Sequence, residues 1–287
     1  MQDLQQDSGN PLKKHFRQPK IYITLPSKGK SYPEGSFVPT ENEEIPIYAM
    51  TAKDEIMMKT PDALISGQST VEVIQSCVPN IKNAWSIPTL DMDAILIAIR
   101  IATYGDTMDI DITTPVTKED KTYSVNMRTM LDNVTSAEFQ DTLYLDDMTI
   151  KIRPLSYKEF TQNSLKSFEE QRIFNILNDD SVTEGQKIDV FNKAFRNLTE
   201  LTIASVENSI VSIDIDGQSV TNHDHIKEFI QNAEKDVYRK IVNHVEAERL
   251  KFAIKPLTVD ATPEEIEQGV PETYTVPITF DHSNFFG

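Results

Sequence analysis

The first candidate for chemistry is a histidine pair, His223 and His225, on either side of Asp224. Imidazole nitrogens and carboxylate oxygens bind Zn²⁺, so alternate histidines near the start of a helix could hold a metal ion. A stable site needs at least three ligands, and no other ligand group is linked to this pair by a recognisable spacing. We interpret the pair as the solvated first turn of a helix and expect no metal and no cofactor.

Three other features have the residue types of a reactive site. Asp109 and Asp111 share one face of an alternating segment, but the isoleucines between them make that face the solvated side of a strand. The Asp-Ile-Asp-Gly sequence at 214–217 lacks the acidic residue that closes a calcium loop, and it favours a hairpin turn. Cys77 has no histidine nearby in sequence, which predicts a buried thiol rather than a nucleophile.

Recognisable catalytic motifs are missing from the sequence. It contains no phosphate-binding loop, no dinucleotide-binding glycine fingerprint, no serine nucleophile elbow and no paired-histidine zinc motif. The chain has nine glycines in 287 residues, which leaves little material for loops that cradle phosphates. We therefore predict that the protein is not an enzyme and acts by binding other proteins.

The charge of the chain narrows the class of partner. Its 28 basic and 45 acidic residues give a net charge of −17, and such a surface repels phosphate. We expect no nucleic-acid partner. A single cysteine favours a reducing compartment, and the longest apolar run, at 94–102, is broken by Arg100. These features predict a soluble protein that is made in the cytoplasm and has no membrane segment.

The elements of the first part predict a mixed α+β fold with antiparallel hairpins around a buried helix. Residues 90–104 are apolar on nearly every face, as in a core helix, and Thr51 is placed to cap a shorter helix. A helix is also predicted at 61–78, broken at Gly67. Strands are predicted at 21–25 and 45–50, and hairpins at 108–125 and 139–153.

The second part is predicted to be mainly helical, with a short hairpin around 211–217. Helices are predicted at 157–177 and after Thr183, the latter with one apolar stripe at Ile188, Phe191, Phe195, Leu198 and Leu201. Residues 222–253 predict one long amphipathic helix. The predicted organisation is a flexible basic arm (1–19), an α+β domain (20–155), a mainly helical region (156–255) and an extended C-terminal segment with a strand and an aromatic tail (256–287).

Both ends of the chain carry candidate partner-binding residues. The N-terminal arm is basic on an acidic protein, so it either contacts an acidic partner or remains a solvated tail. The aromatic pair near the last residue either folds back onto its own core or docks into a partner. The candidates are Lys13, Lys14, Arg17, Lys20, Phe285 and Phe286.

Four sequence motifs carry a resemblance to a known family. They are Leu-Pro-Ser-Lys-Gly-Lys-Ser-Tyr-Pro-Glu-Gly at 25–35, Met-Thr-Ala-Lys-Asp-Glu at 50–55, Leu-Asp-Met-Asp at 90–93 and Ile-Arg-Ile-Ala-Thr-Tyr-Gly at 99–105. In this order and spacing they resemble the T4-type bacteriophage baseplate protein family. The resemblance covers about residues 20–155, and the Asn-Phe-Phe-Gly tail at 284–287 is similar too.

The resemblance implies a role in the baseplate hub of a contractile-tailed phage. It implies no enzymatic activity, and it implies that the partners are other hub and tail proteins. Two alternatives stay open: a structural subunit of the virion tail baseplate, or a chaperone-like assembly factor that leaves before the virion is mature. Either would work in the host cytoplasm during assembly.

Overall fold

The computed structural model describes residues 11–59, 66–176, 183–276 and 278. The fold is α+β, as the sequence predicts, and its sheets are small and antiparallel. The strands are β1 (Pro19–Thr24), β2 (Glu44–Tyr48), β3 (Thr107–Thr113), β4 (Asp120–Asn126), β5 (Thr142–Leu145), β6 (Met148–Ile152), β7 (Ile210–Ile215), β8 (Gln218–Val220), β9 (Leu257–Asp260) and β10 (Thr273–Val276). The α-helices are α1 (Ala52–Met58), α2 (Gln68–Cys77), α3 (Thr89–Tyr104), α4 (Met127–Thr135), α5 (Tyr157–Ile176), α6 (Glu184–Ser209), α7 (His223–Asn232), α8 (Lys235–Leu250) and α9 (Pro263–Glu267).

Helix α3 is the central helix of the first part. Ile95, Ile97 and Ile99 are fully buried, and β1, β2, α2 and α4 pack around the helix. Gly105 ends it with a φ of +93°, a left-handed conformation that glycine adopts without a steric cost. The apolar character of 90–104 therefore reflects burial on nearly every side, as predicted.

Two antiparallel hairpins flank this helix in the chain. In the first, β1 pairs with β2, and Tyr22 lies opposite Pro46. The sheet has two strands, so Pro46 is in an edge strand, as a proline requires. In the second, β3 pairs with β4, with Met108 opposite Val125. The strand and hairpin predictions for this region are confirmed.

Gly67 separates α2 from the residues before it. Its φ is +76°, which strains a residue with a side chain, and a Cβ added there would lie only 3.0 Å from the Tyr157 hydroxyl oxygen. The break predicted at Gly67 in the 61–78 helix is present. Residues 60–65, which the prediction also covers, lie outside the described part of the chain.

A second core lies beneath a four-stranded antiparallel sheet in the order β5-β6-β7-β8. Ile150 of β6 is opposite Ile213 of β7, and both pack against Val206, Ile226 and Ile241. The boundary predicted at 155/156 falls between two strands that pair with each other. Strand pairing therefore places the 139–153 hairpin with the second part of the chain rather than with the first.

The predicted long helix at 222–253 is two helices, α7 and α8. The backbone of Ala233 is extended, with φ −63° and ψ 145°, and it ends α7. Ile226 and Ile230 of α7 and Ile241 of α8 all lie in the second core. A straight helix of that length could not direct both segments at one small core, which explains the break.

Much of the apolar stripe predicted for α6 lies on the outside of the helix. Ile188, Phe191 and Phe195 are exposed, and the fully buried residue in this half of the helix is Ala194. The reason is the neighbour: α6 packs against α5 along the face that carries Ala194 and Asn197, and Asn197 Nδ2 donates to Glu170 Oε1 over 2.6 Å. Periodicity identified an amphipathic helix but not which side is covered.

The C-terminal segment returns to the first part. Strands β9 and β10 pair as a hairpin around α9, and Val259, Val270 and Tyr274 pack on Ile112 of β3. The sequence predicted a strand at 274–278, which corresponds to β10, but it did not predict β9. Phe285 and Phe286 lie outside the described residues.

The N-terminal arm is described from Pro11 onward. Residues Pro11–His15 form a short 3₁₀ helix, and Pro19 begins β1. The arm predicted for 1–19 thus includes one short 3₁₀ helix and the first residue of β1. Residues 1–10 lie outside the described part, and flexibility there stays a prediction.

The substitution Ile97→Asp tests the role of α3. An aspartate at this fully buried position would place an unpaired charge in the core, which costs several kcal/mol and approaches the whole stability of a typical domain. We expect loss of the soluble folded protein, measured by thermal melting and by the soluble fraction. Ile97→Val is the matched control and should cost about 1 kcal/mol. A soluble Asp variant with the wild-type melting temperature would contradict the assignment.

Candidate functional site

The histidine pair lies in the solvated first turn of a helix, as the sequence predicts. His223 and His225 are exposed in the first turn of α7, where the Asn222 side chain caps the helix by accepting from Asp224 N–H. Over the ranges described from residue 11 to 278, no three histidine, cysteine or acidic side chains come together in a way that could hold a metal ion.

The acidic candidates have structural roles. Asp109 and Asp111 are exposed on β3, and Thr122 of the facing strand donates to Asp111 over 2.6 Å. Asp216 and Gly217 form the β7–β8 turn with φ values of +50° and +76°, as the hairpin interpretation predicts.

Cys77 is fully buried in the first core, as the sequence predicts for a structural thiol. Burial and the nearby Asp54 carboxylate raise its pKa to about 12, although Arg17 acts in the opposite direction. A thiol with this pKa is protonated at neutral pH and is not a nucleophile.

The motif at 25–35 is held by a single buried carboxylate, that of Asp91. Ser27 donates its N–H to Asp91 Oδ1 over 2.7 Å and its hydroxyl to Oδ2 over 2.6 Å, and the Tyr32 hydroxyl donates to Oδ2 over 3.0 Å. Asp91 lies in the first turn of α3, where the helix dipole also favours a negative charge. The first and third motifs of the sequence are therefore the two halves of one hydrogen-bonded network.

The loop conformation around this network requires glycine. Gly29 has a φ of +74°, and a Cβ there would lie 2.7 Å from the Phe37 ring. Phe37 in turn stacks on Tyr32 with 4.8 Å between ring centroids. The glycine thus allows the aromatic ring to lie against the backbone and to fix Tyr32 for its bond to Asp91.

The other two motifs also meet at α3. Thr51 and Asp54 form a reciprocal capping box at the start of α1, as predicted for Thr51. Thr103 of α3 accepts a hydrogen bond from Met50 N–H over 3.0 Å, and the Tyr104 hydroxyl bonds to Glu55 over 3.2 Å. All four motifs therefore serve to attach surface loops to one buried helix.

Arg17 attaches the N-terminal segment to the same region. Its guanidinium donates to the Ala49 carbonyl over 2.6 Å and to the Ser76 hydroxyl over 2.8 Å, and it lies 3.4 Å from Asp54 Oδ2. Asp54 is almost completely buried. Arg17, predicted as a partner-binding residue, is thus engaged within its own chain.

The remaining basic candidates of the N-terminal segment are Lys13, Lys14 and Lys20. Lys13 and Lys20 are exposed, and Phe16 between them is 57% exposed. The side chain of Lys14 is outside the described set. Lys13, Phe16 and Lys20 are therefore exposed within residues 11–20, a segment that Arg17 holds against the body. Sequence analysis had not singled out Phe16.

A shallow groove of about 460 Å³ lies next to the first motif. Tyr32, Trp85, Arg153 and Glu159 are among the residues that line it. Arg153 forms a two-point ion pair with Glu159, with distances of 2.7 and 3.0 Å. Burial raises the pKa of Glu159, but the bonds from Arg153 and Ser156 outweigh it and lower the pKa to about 2. Arg153 and Glu159 of the groove are thus already paired with each other.

A second exposed surface follows the outer sides of α5 and α6. Phe160 and Phe168 of α5 and Ile188 and Phe195 of α6 are each about half exposed. Large apolar side chains outside the core mark contacts with other proteins when they gather on one element. Sequence analysis found the α6 residues by their periodicity but did not show that they are exposed.

These features define a protein with exposed apolar and basic residues on a scaffold of small sheets and helices. Residues 18–256 match the family model for the T4 bacteriophage base plate protein, and the chain belongs to this family. The match extends about 100 residues beyond the 20–155 region of the sequence resemblance and includes the helical part. No curated protein and no solved structure matches the chain. Within the described residues, no helix is long and apolar enough to cross a membrane.

The Asp91 network predicts a specific pH dependence of stability. Burial raises the pKa of the Asp91 carboxyl from 3.8 to about 6, against the opposing bonds from Ser27 and Tyr32. The folded protein then binds this proton more tightly than the unfolded chain, so the contribution of Asp91 to stability falls as the pH rises from about 4 to about 6.

An Asp91→Asn variant lacks this titration. The difference in free energy of unfolding, variant minus wild type, should rise by up to roughly 3 kcal/mol between pH 4 and pH 7. Altered hydrogen bonds in the variant would add a constant to this difference and would not change the rise. Urea unfolding at several pH values measures the difference. Asp93→Asn should show the same direction, because burial also raises the pKa of Asp93 to about 6. A difference between Asp91→Asn and wild type that is constant over this range would refute the interpretation.

Proposed function

We propose that the protein is a structural or assembly component of the baseplate hub of a contractile-tailed, T4-like phage. It acts by binding other hub and tail proteins, and it uses no catalytic residue, metal or cofactor and no nucleic acid. It is assembled in the host cytoplasm and becomes part of the virion tail baseplate. Membership of the base plate protein family supports the general role, and the exposed surfaces support the mode of action.

The observation that carries this proposal is the construction of the N-terminal segment. Residues 11–20 contain four basic residues and no acidic one, on a chain with a net charge of −17. Arg17 is used to anchor the segment, which leaves Lys13, Phe16 and Lys20 exposed around it. An anchored segment with an exposed aromatic ring and flanking cations fits an acidic partner surface with an apolar centre.

A transient assembly factor is the alternative function. It would use the same surfaces, but it would be absent from the finished particle. Mass spectrometry of purified mature phage decides between the two: a stoichiometric copy number relative to known tail proteins identifies a subunit. Absence from the particle, together with recovery in hub intermediates from infected cells, identifies an assembly factor. Recovery in neither would remove the hub assignment altogether.

The N-terminal segment gives a prediction that depends on salt. Lys13→Glu/Lys20→Glu should weaken capture of hub proteins from infected-cell extracts about tenfold at low ionic strength, because exposed charges steer and hold an acidic partner. The loss should shrink near 1 M salt, where the screening length is about 3 Å. Phe16→Ser should weaken capture to a similar degree at all salt concentrations.

The matched control is Lys118→Glu/Lys227→Glu, which makes the same change in net charge at exposed sites on a turn and on α7. It should capture hub proteins like wild type. Removal of residues 283–287 tests Phe285 and Phe286 in the same assay, where loss of an anchoring pair should cost about 2 kcal/mol or more. If every one of these variants matched wild type across the salt series, the ends of the chain would not be the binding surface.

A further inference from the structure

The first half of α6 has its more apolar side facing outward. Ile188 is 58% exposed and Phe195 is 61% exposed, and Phe191 between them stacks on Phe195 with 6.3 Å between ring centroids. Ile188 and Phe195 are seven residues apart, about two helical turns, so they lie on one face. Water contact with this face is unfavourable, and a protein surface that covers it would gain free energy.

The inward side of the same hairpin includes polar groups. Asn197 bonds to Glu170, and among the described residues Asn163 Nδ2 and Glu170 Oε2 are buried without a hydrogen-bond partner. Ile188 and Phe195 lie on the outward side, where another molecule can reach them.

Two charges follow the exposed apolar residues in the sequence. Asp189 comes directly after Ile188, and Arg196 comes directly after Phe195. Both are exposed, and within the described residues neither forms a hydrogen bond or an ion pair. At about 10 Å apart along the helix they are too distant to pair with each other. The face thus has an apolar residue followed by a charged residue at two places, and the charge is negative at the first place and positive at the second.

This pattern is complementary to itself. If a second α6 lies antiparallel to the first, across a two-fold axis near residue 192, Ile188 meets Phe195 of the other copy. The same operation brings Asp189 opposite Arg196, and each contact occurs twice, as in any isologous interface. The midpoint between residues 188 and 195 and the midpoint between residues 189 and 196 differ by about one residue, or 1.5 Å along the helix. One two-fold axis therefore serves both contacts.

We propose that the outer face of α6 is a contact between two copies of this chain, arranged antiparallel about a two-fold axis near residue 192. The occupant is a second copy because the opposite charges at 189 and 196 are placed for each other, which a binding site for a different protein does not require. The contact is a small one, so a dissociation constant of about micromolar magnitude is expected. This inference stands apart from the hub assignment and can fail or hold without it.

Sedimentation equilibrium of the full chain is the test. Wild type should show a reversible monomer–dimer equilibrium in roughly the micromolar range. Phe195→Glu should be monomeric. Asp189→Arg, which sets arginines against each other, and Arg196→Asp, which does the same with aspartates, should each weaken the dimer at least about tenfold. Tyr144→Glu, at an exposed site on β5, is the matched control and should dimerise like wild type.

Two further samples make the test specific to the proposed arrangement. The double variant Asp189→Arg/Arg196→Asp restores opposite charges across the axis and should recover the wild-type constant. An equal mixture of the two single variants should form a heterodimer, because each then meets its complement twice. All the changed residues are exposed, so circular dichroism and melting temperature should be unchanged throughout.

A wild-type chain that stays monomeric throughout this concentration range would overturn the proposal. So would dimers that ignore the charge reversals, because the contact would then lie elsewhere. Recovery of hub proteins by Asp189→Arg at the wild-type level, with its dimer lost, would separate this contact from the proposed function. Loss of hub capture by Phe195→Glu while the wild-type chain is monomeric would assign the face to a different protein.

Discussion

The buried carboxylate of Asp91 is the interaction on which the first part of the structure depends. It is completely buried, and it accepts three hydrogen bonds from one loop while lying at the positive end of α3. Without these partners, the free-energy cost of burying an ionised group at this depth would exceed the net stability of the fold. The loop at 25–35 and the core helix therefore require each other, and the rest of the sheet and helix packing follows from where the helix lies.

Arg17 repeats the same arrangement at a second point. There too a buried carboxylate, that of Asp54, is satisfied by groups from separate segments, namely Thr51, Ser76 and Arg17 itself. A fold made of small sheets has limited apolar area in each of its cores. Satisfied polar groups between segments give such a fold specificity in how the segments meet, in addition to the stability that burial supplies.

Local patterns predicted much of the fold. The core helix, both early hairpins, the capping role of Thr51 and the 216–217 turn all follow from periodicity and from residue preferences within a few positions. What the sequence alone did not reveal depends on distant partners. The pairing of β6 with β7 joins strands from either side of residue 155. Burial of Ala194 on the inside of α6 leaves Ile188 and Phe195 on the outside. For the candidate site, spacing could flag Arg17 but could not show that Ala49, Asp54 and Ser76 would hold it.

The pairing of β6 with β7 has a consequence for how the chain can vary. The backbone leaves the sheet after Ile152 and returns at Ile210, and Arg153 N–H bonds to the Ser209 carbonyl where the two ends meet. Helices α5 and α6 thus form an insertion between two paired strands of one sheet. Closing a longer or shorter loop changes the entropy cost only slowly with length. The distance at which this hairpin presents its outer face can therefore change by whole helical turns while the sheet register stays the same.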